Sequence, residues 1–204
     1  MHDETPRTDS AEYARRLERL SSPRWKRVLD VQAPYRQYLR RLHLGVTLEL
    51  GCGIGRNLRA LSPDGVGIDH NATAVAMARA AGWRAYTPSE FRRTEFAAPE
   101  RFDALLASHV LEHMSADEAR SFVGSYMLYL RAGGRVVLIT PQERGFRRDR
   151  THRTFLDFAA LEALADGLGL RVVRRQSFPF PRAVGRVFPY NEFVLIARRT
   201  TERQ

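Results

Sequence analysis

The stretch Leu48-Glu49-Leu50-Gly51-Cys52-Gly53-Ile54-Gly55 limits the possible folds of this chain more than any other. An apolar strand, Val46 to Leu50, runs straight into three glycines spaced two apart, and a helix is expected to follow from about Arg56 to Leu61. Glycines at such a junction let the backbone turn sharply and let a ligand come close, beside a helix N-terminus with free N–H groups. The spelling is G-x-G-x-G. The dinucleotide fingerprint G-x-G-x-x-G would need glycine where the chain has Arg56, which disfavours a nicotinamide-dependent reductase. A second strand, Gly65 to Asp69, ends on a carboxylate placed to accept hydrogen bonds from ribose hydroxyls and to repel a 2′-phosphate.

Beyond this unit, short apolar runs keep alternating with helical patterns. An alanine-rich helix is expected over 71–82, short strands over 83–86 and within 102–111, and a helix capped by Ser115 and Glu118 that stops at Gly133-Gly134. A strand over 135–140, a helix over 154–168 and strands over 171–178 and 192–199 complete the series. This alternation predicts an α/β fold of βαβ units around a buried parallel sheet. Helical patterns also precede the first strand, from Ala11 to about Leu44 with a break at Ser21-Ser22-Pro23. The organisation is therefore an N-terminal helical extension, 1–44, and one α/β domain, 45–204.

A chain of 204 residues can bury a full core without metal or disulfide staples. Its single cysteine, Cys52, excludes an internal disulfide framework and fits a reducing compartment. The N-terminal residues contain no apolar core of signal-peptide length and no apolar run approaches a membrane span, so the expectation is a soluble, cytoplasmic protein. The net charge of +10 invites a nucleic-acid partner. However, the basic residues are arginines except for Lys26, and alanine is abundant, as GC-rich codon use would give. Nucleic acid is accordingly not the expected partner.

His109-Val110-Leu111-Glu112-His113 spells the H-x-x-E-H of inverted zinc peptidases. Such a site needs both histidines on one helix. Here the first follows the strand core Ala104-Leu105-Leu106-Ala107, and the helix-start signal comes only at Ser115, so the motif is not expected to hold zinc and no metal ligand is assigned, while whether a divalent metal assists stays open.

At this point the chain resembles the class I S-adenosylmethionine-dependent methyltransferases, over roughly residues 46–199. LELGCGIGRNL is similar to their first motif, GIDHNATAVAMAR to the second, FDALLASHVLEHM to the fourth and LRAGGRVVLITP to the fifth. The resemblance implies a Rossmann-like, seven-stranded, mostly parallel sheet with helices on both faces and an antiparallel last strand. It implies S-adenosyl-L-methionine as cofactor, with Glu49, Gly51, Cys52 and Gly53 at its methionine part and Asp69 at the ribose. His70 would lie beside the ribose, Ser89, Glu90 and Phe91 around the adenine, and Ser108 and His109 at the cofactor-facing end of the fourth strand.

The acceptor is expected at the long charged loop after the fifth strand, residues 140–158. Within it, Asp149-Arg150-Thr151-His152 offers an imidazole suited to taking a proton, with Asp149 to orient it and His113 as a nearby helper. Its D-x-T-H…F spelling resembles that of family members that methylate hydroxyls of sugars and small metabolites. Tyr190 and Asn191, in the aromatic connector before the last strand, and Arg147 are the expected acceptor contacts. The leading expectation is an O-methyltransferase acting on a small-molecule or sugar-like acceptor. The alternatives are an RNA methyltransferase and an inactive cofactor-binding partner subunit. Oligomeric state and acceptor identity stay open.

Overall fold

The computed structural model describes residues 33–200. The helical patterns expected before Ala33 lie outside the described residues. In chain order the elements are α1 (Ala33–Arg41), β1 (Thr47–Leu50), β2 (Val66–Ile68), α2 (Ala72–Ala80), β3 (Ala85–Tyr86), α3 (Pro88–Phe91) and β4 (Phe102–Ser108). They continue with α4 (Ala116–Gly124), β5 (Leu130–Pro141), α5 (Glu143–Phe146), α6 (Phe158–Gly167), β6 (Leu170–Phe178) and β7 (Glu192–Arg199).

The seven strands form one sheet in the order β3-β2-β1-β4-β5-β7-β6. β1 to β5 are parallel, whereas β7 runs antiparallel between β5 and β6. The chain winds outward from β1 to β3, then returns to place β4 on the other side of β1. Ligands bind at this change of direction in open α/β sheets, outside the carboxyl ends of the strands. Because β7 is reversed, its first residue, Glu192, lies at that same edge, paired with Pro141 at the end of β5.

Alternating side chains feed two faces. Leu105 and Ala107 of β4, with Val136 and Leu138 of β5, pack beneath α3, α4 and α6, where Phe91, Ala119, Val123, Leu161 and Leu164 close the larger core. Ala104, Leu106, Val137 and Ile139 point the other way, against Leu39 and Leu42 at α1. Truncating a fully buried leucine such as Leu106 in such a core costs about 2–5 kcal/mol. α1 is fixed by more than its leucines. Tyr38 stacks on Phe178 with ring centroids 4.3 Å apart and accepts a 2.6 Å bond from Gln176.

Three boundaries differ from the sequence expectation, each for a local reason. Instead of a helix over 56–61 there is one 3₁₀ turn, Leu58–Ala60. Gly51, Gly53 and Gly55 all hold positive φ, the Asn57 side chain turns back to Glu49, and Pro63 disfavours helix just after. Gly133 and Gly134 do not stop a helix. That helix ends at Gly124, and the glycines lie inside β5, where a Cβ on Gly134 would strike Leu130 at 2.6 Å. The last helix starts at Phe158 and not 154, because Asp157 accepts from the Ala160 amide at 3.0 Å and caps it there.

Candidate active site

The glycine loop leaves β1 with its first two amides, of Gly51 and Cys52, donating to the Ile68 carbonyl at 2.8 and 3.0 Å. Gly51 has φ +76°, and a Cβ there would meet Val110 Cγ2 at 2.5 Å, so the loop lies against the chain leaving β4. Asp69 joins the loop to α2. Its Oδ2 accepts from the Gly53 amide at 2.7 Å and its Oδ1 from the Asn71 amide at 2.8 Å. Asn71, and not Asp69, caps α2. His70 is half exposed, with Nδ1 3.6 Å from Asp69 Oδ1.

Glu49 is buried at the end of β1. Oε1 accepts from Asn57 at 2.7 Å, and Oε2 has no hydrogen-bond partner among the described residues. Burial raises its pKa to about 8, against the lowering effect of the Asn57 bond and with help from the Asp69 charge. A buried carboxylate with one open oxygen beside a glycine loop fits a ligand ammonium, the group at the methionine end of S-adenosylmethionine. Glu49, the Gly51–Gly53 backbone and Asp69 are therefore the residues that would hold that cofactor.

Other residues expected at the cofactor are employed differently. The Cys52 side chain packs into a small core with Leu58, Val75 and Ala78, where it would contact a Cβ on Gly67, so only its backbone belongs to the loop. Phe91 is a correction: its ring is buried in the main core against Phe102, Tyr126 and Tyr129. Glu90 completes a capping box with Thr87 and pairs with Arg79 at 2.9 Å, while exposed Ser89 lies 3.2 Å from the Thr87 hydroxyl. The T-P-S-E spelling is itself a helix-start signal followed by an apolar residue, and it accounts for these positions without a ligand.

At the exit of β4, Ser108 is buried and shares a 2.6 Å hydrogen bond with the Tyr35 hydroxyl of α1. His109 adopts φ +55°, a strained backbone for a residue with a side chain, and such strain collects at functional sites. Its ring bridges two buried carboxylates, with Nδ1 3.3 Å from Glu112 Oε1 and Nε2 3.4 Å from Glu192 Oε2. Burial opposes its charge, but Glu192 and Glu112 outweigh that and raise its pKa to about 9. The ring is a cation at neutral pH, and 41% of the side chain stays exposed to the crevice. Burial in turn raises the Glu192 carboxyl to about 7 against the lowering influence of His109.

The H-x-x-E-H stretch is not helical. A single 3₁₀ turn, Leu111–His113, carries its second half. The Arg153 and Thr154 amides donate to the Glu112 carbonyl at 2.7 and 3.1 Å, so the long loop after β5 folds over this turn. His152 is thereby carried to His113, with ring centroids 5.0 Å apart, and its Nε2 lies 3.9 Å from Glu112 Oε1. One ligand atom from each of Glu112, His113 and His152 lies within 4.8 Å of the others.

His152 stacks on Phe146, and its Nδ1 is 2.9 Å from the Phe146 carbonyl, so Nδ1 carries the proton and Nε2 the lone pair. Burial lowers its pKa. The Asp149 charge acts on the His152 ring in the raising direction, against the larger effect of burial. Asp149 Oδ1 accepts from the Thr151 amide at 3.0 Å and hydroxyl at 2.8 Å, and Thr151 presents its carbonyl and hydroxyl oxygens 3.2 Å from His113 Nδ1.

Asn191 is also corrected. It is fully buried, donates to Gln142 Oε1 at 3.0 Å and Ser177 Oγ at 2.9 Å, and accepts from the Phe180 amide at 2.9 Å. Its polar atoms pin the β6–β7 connector, leaving it a structural residue. Tyr190 is 60% exposed with Arg148 over its ring at 5.9 Å, and Arg147 is exposed at the end of α5. The expected acceptor set omits Tyr35, which joins the site at Ser108 across 73 positions of sequence.

Residues 48–136 match the family model of a methyltransferase domain. A ubiquinone biosynthesis O-methyltransferase of Rhodopseudomonas palustris is 31% identical over 99 residues, 46% of this chain and 38% of that protein. The chain thus spans well under half the length of this curated relative. An S-adenosylmethionine-dependent methyltransferase from Archaeoglobus fulgidus superposes with a TM-score of 0.64 at 18% identity, covering 81% of this chain and 93% of the other. The magnesium protoporphyrin IX methyltransferase of Synechocystis with bound SAH gives 0.64 at 15% identity, with 95% and 96% covered. Among the described residues no helix is long and apolar enough to cross a membrane.

Proposed function

We propose that this chain transfers the methyl group of S-adenosylmethionine to a hydroxyl of a small-molecule acceptor, a reading supported by the match of residues 48–136 to the family model of a methyltransferase domain and by the fold shared with S-adenosylmethionine-dependent methyltransferases. The observation that carries the reading is the cluster of buried Glu112 with partly buried His113 and His152. It sits two residues beyond Val110, the side chain that closes on Gly51 of the cofactor loop.

In this reading Glu49 receives the cofactor's ammonium, the Gly51–Gly53 backbone passes its methionine part, and Asp69 accepts from the ribose hydroxyls. His70, Ser108 and His109 border the cofactor. The methyl carbon is already activated by the sulfonium, so the chain has to align the acceptor oxygen opposite the C–S bond and remove its proton. Alignment supplies up to about 7–11 kcal/mol in favourable cases, and a positioned base about 10²–10⁴-fold in rate. His152 Nε2 takes the proton. Glu112, 3.9 Å away, is near enough to stabilise the resulting imidazolium and too far to occupy the lone pair. Asp149 acts through Thr151 on His113. Tyr190 and Arg147 form the outer rim toward the acceptor.

Oxygen as the methylated atom is supported by the name of the Rhodopseudomonas relative, an O-methyltransferase. The test is a labelled methyl-donor assay against pools of hydroxylated metabolites. The expected product is a methyl ether, with turnover cut at least ~100-fold by His152→Ala while demethylated cofactor still binds. Incorporation into RNA, with binding that weakens steeply as salt rises, would replace this reading with the nucleic-acid one.

A further inference from the structure

The arginines of β6 and β7 fall on two sheet faces that treat them differently. On the face that packs α4 and α6, Arg175 pairs with Glu162 at 2.9 Å and Arg199 with Glu100 at 3.6 Å. On the face toward α1, Arg171, Arg174 and Arg198 are exposed, and none of them has an acidic partner among the described residues.

Strand register places two of these beside a third arginine. Arg198 of β7 lies opposite Arg135 of β5 on one side and Arg171 of β6 on the other. Directly opposed residues share a face with Cβ atoms about 5 Å apart, so the row is about 10 Å long, and like charges so placed are destabilising. α1 does not cover it. Gln176, farther along β6 on this face, donates to Tyr38 of α1, but α1 ends at Arg41. Just beyond that end, Arg135 donates to the Leu42 carbonyl at 2.7 Å and to the His43 carbonyl. Burial and then the Arg198 charge lower the Arg135 pKa, against the influence of Asp103. Asp103 is itself engaged, its Oδ1 with Arg131 at 2.8 Å and its Oδ2 with the Val46 amide at 2.7 Å.

Codon bias accounts for how many arginines the chain has. It does not account for acids meeting those on one face and leaving those on the other. The rest of the sequence holds no surplus of acid to meet them, since residues 1–32 carry six acidic and seven basic side chains and residues 201–204 one of each.

From this arrangement we propose that the Arg135–Arg198–Arg171 row, with Arg174 beside it, binds the phosphodiester backbone of a nucleic acid. At one phosphate per about 3.4 Å of rise along a strand, a row of about 10 Å meets about three. Protein–DNA interfaces are strongly positive, whereas the cores of protein–protein interfaces lose charge and gain aromatic residues. Binders of a membrane surface set aromatic and leucine side chains against the acyl chains. The row has neither. The large exposed aromatics, Phe155, Phe180 and Tyr190, belong to the loop after β5 and the β6–β7 connector, at the other edge of the sheet. Backbone contacts position a protein without reading sequence. Arg135 lies toward the amino end of β5 and the glycine loop at the carboxyl end of β1, so a nucleic acid held here is not thereby the methyl acceptor. The binding stands apart from the methyltransferase reading and holds or fails without it.

The experiment uses the full chain and fluorescence anisotropy with a labelled DNA duplex of about 20 base pairs and an RNA duplex of the same sequence. Wild type should bind at least one of them and lose at least ~40-fold in affinity between about 50 and 200 mM salt, as three phosphate contacts require. The variant Arg171→Gln, Arg174→Gln, Arg198→Gln should bind at least about tenfold more weakly, with a log–log salt slope shallower by about 2.7. The same charge removed elsewhere, in Arg92→Gln, Arg93→Gln, Arg144→Gln, should leave affinity within about twofold of wild type. The row variant should melt no lower than wild type, because it relieves like-charge contacts. If it does not fold, Arg198→Gln alone, at the centre of the row, should still flatten the slope by about 0.9. Equal weakening in the two triple variants would mean that only net charge is at work and overturns the proposal, as does absence of binding to both duplexes. Row-dependent binding to vesicles of phosphatidylglycerol and phosphatidylcholine, with none to either duplex, overturns it in favour of a membrane surface.

Discussion

Replacing Asp69 with alanine separates two jobs that the residue combines. Its carboxylate accepts from the Gly53 and Asn71 amides at 2.7 and 2.8 Å, which ties the glycine loop to the start of α2. In the proposed complex the same oxygens also accept from the ribose hydroxyls. Hydrogen bonds to a charged group contribute about 1.5–3 kcal/mol each. The two amides lie at a crevice that water can enter once the side chain is gone, so the lower end applies, and urea unfolding should register a loss of about 2–3 kcal/mol. The ribose bonds add about 1.5–3 kcal/mol to binding, or about 10- to 150-fold in affinity for S-adenosylhomocysteine by calorimetry. Affinity alone cannot tell a missing contact from a loosened loop. The assay therefore pairs Asp69→Ala with an analogue lacking the ribose 2′-hydroxyl, as a double-mutant cycle. If Asp69 touches the hydroxyl, wild type should lose affinity with the analogue and the variant should lose almost none. Equal losses in both would show that Asp69 works only through the loop and would refute the ribose assignment.

Gly51→Ala places a methyl group 2.5 Å from Val110 at a φ of +76°; demethylated-cofactor binding should fall below detection and the melting temperature should drop, and unchanged binding would count against the close approach of these chains. At pH 7 Glu49, with its pKa near 8, is mostly protonated and must ionise against the cofactor's ammonium, so titrations in buffers of different ionisation enthalpy should show close to one proton released, a signal absent in Glu49→Gln. His109, Glu192 and Glu49 have folded pKa values of about 9, 7 and 8, all above their ordinary values, so folding binds protons. Their contribution is complete in mild acid and is lost as pH rises through those values, so thermal stability of the cofactor-free protein should decline from about pH 5 to pH 9. Glu192→Gln should flatten the lower part of that decline. Asn191→Ala removes a buried amide with four partners and should cost about 2–4 kcal/mol in unfolding, whereas Tyr190→Ala should leave stability within about 0.5 kcal/mol.

The sheet was legible because its signals are local and repeat. An apolar run such as Ala104-Leu105-Leu106-Ala107 needs only to be buried on both faces, and the alternation with helices dictates parallel pairing. Boundaries shift where a residue's partner lies elsewhere. Asn57 looks like a helix residue until Glu49 is seen to hold its amide, and Gly133-Gly134 reads as a stop until Leu130 is found folded beneath Gly134. Phe91 reads as a pocket residue because the loop after β3 is where adenine is expected. The choice between cap and ligand depends on which side of α3 faces the core.

The same distinction explains the site. Glu49, Gly51 and Asp69 follow one another along two adjacent strands, so their spacing in sequence already reports their spacing in space. The acceptor side is assembled from α1, the β4 exit, the post-β5 loop and the start of β7, which no spacing rule connects. What links them is charge. Glu49 Oε2, both oxygens of Glu112 and Glu192 Oε2 are buried without hydrogen-bond partners among the described residues, all at one edge of one sheet. A chain stabilised only for folding would replace such groups with apolar ones at a gain of about 1–4 kcal/mol. Their presence at this edge fits a ligand that supplies the missing positive charge at Glu49, the cofactor's ammonium in the proposed complex. Glu112 and Glu192 share His109, at 3.3 and 3.4 Å, whose strained backbone holds the ring between them. Because His109 and His113 hold the Glu112 carboxyl below its ordinary range against burial, Glu112→Gln should lower the stability of the cofactor-free protein at pH 7, and a gain in stability would show that its burial is not offset by these neighbours.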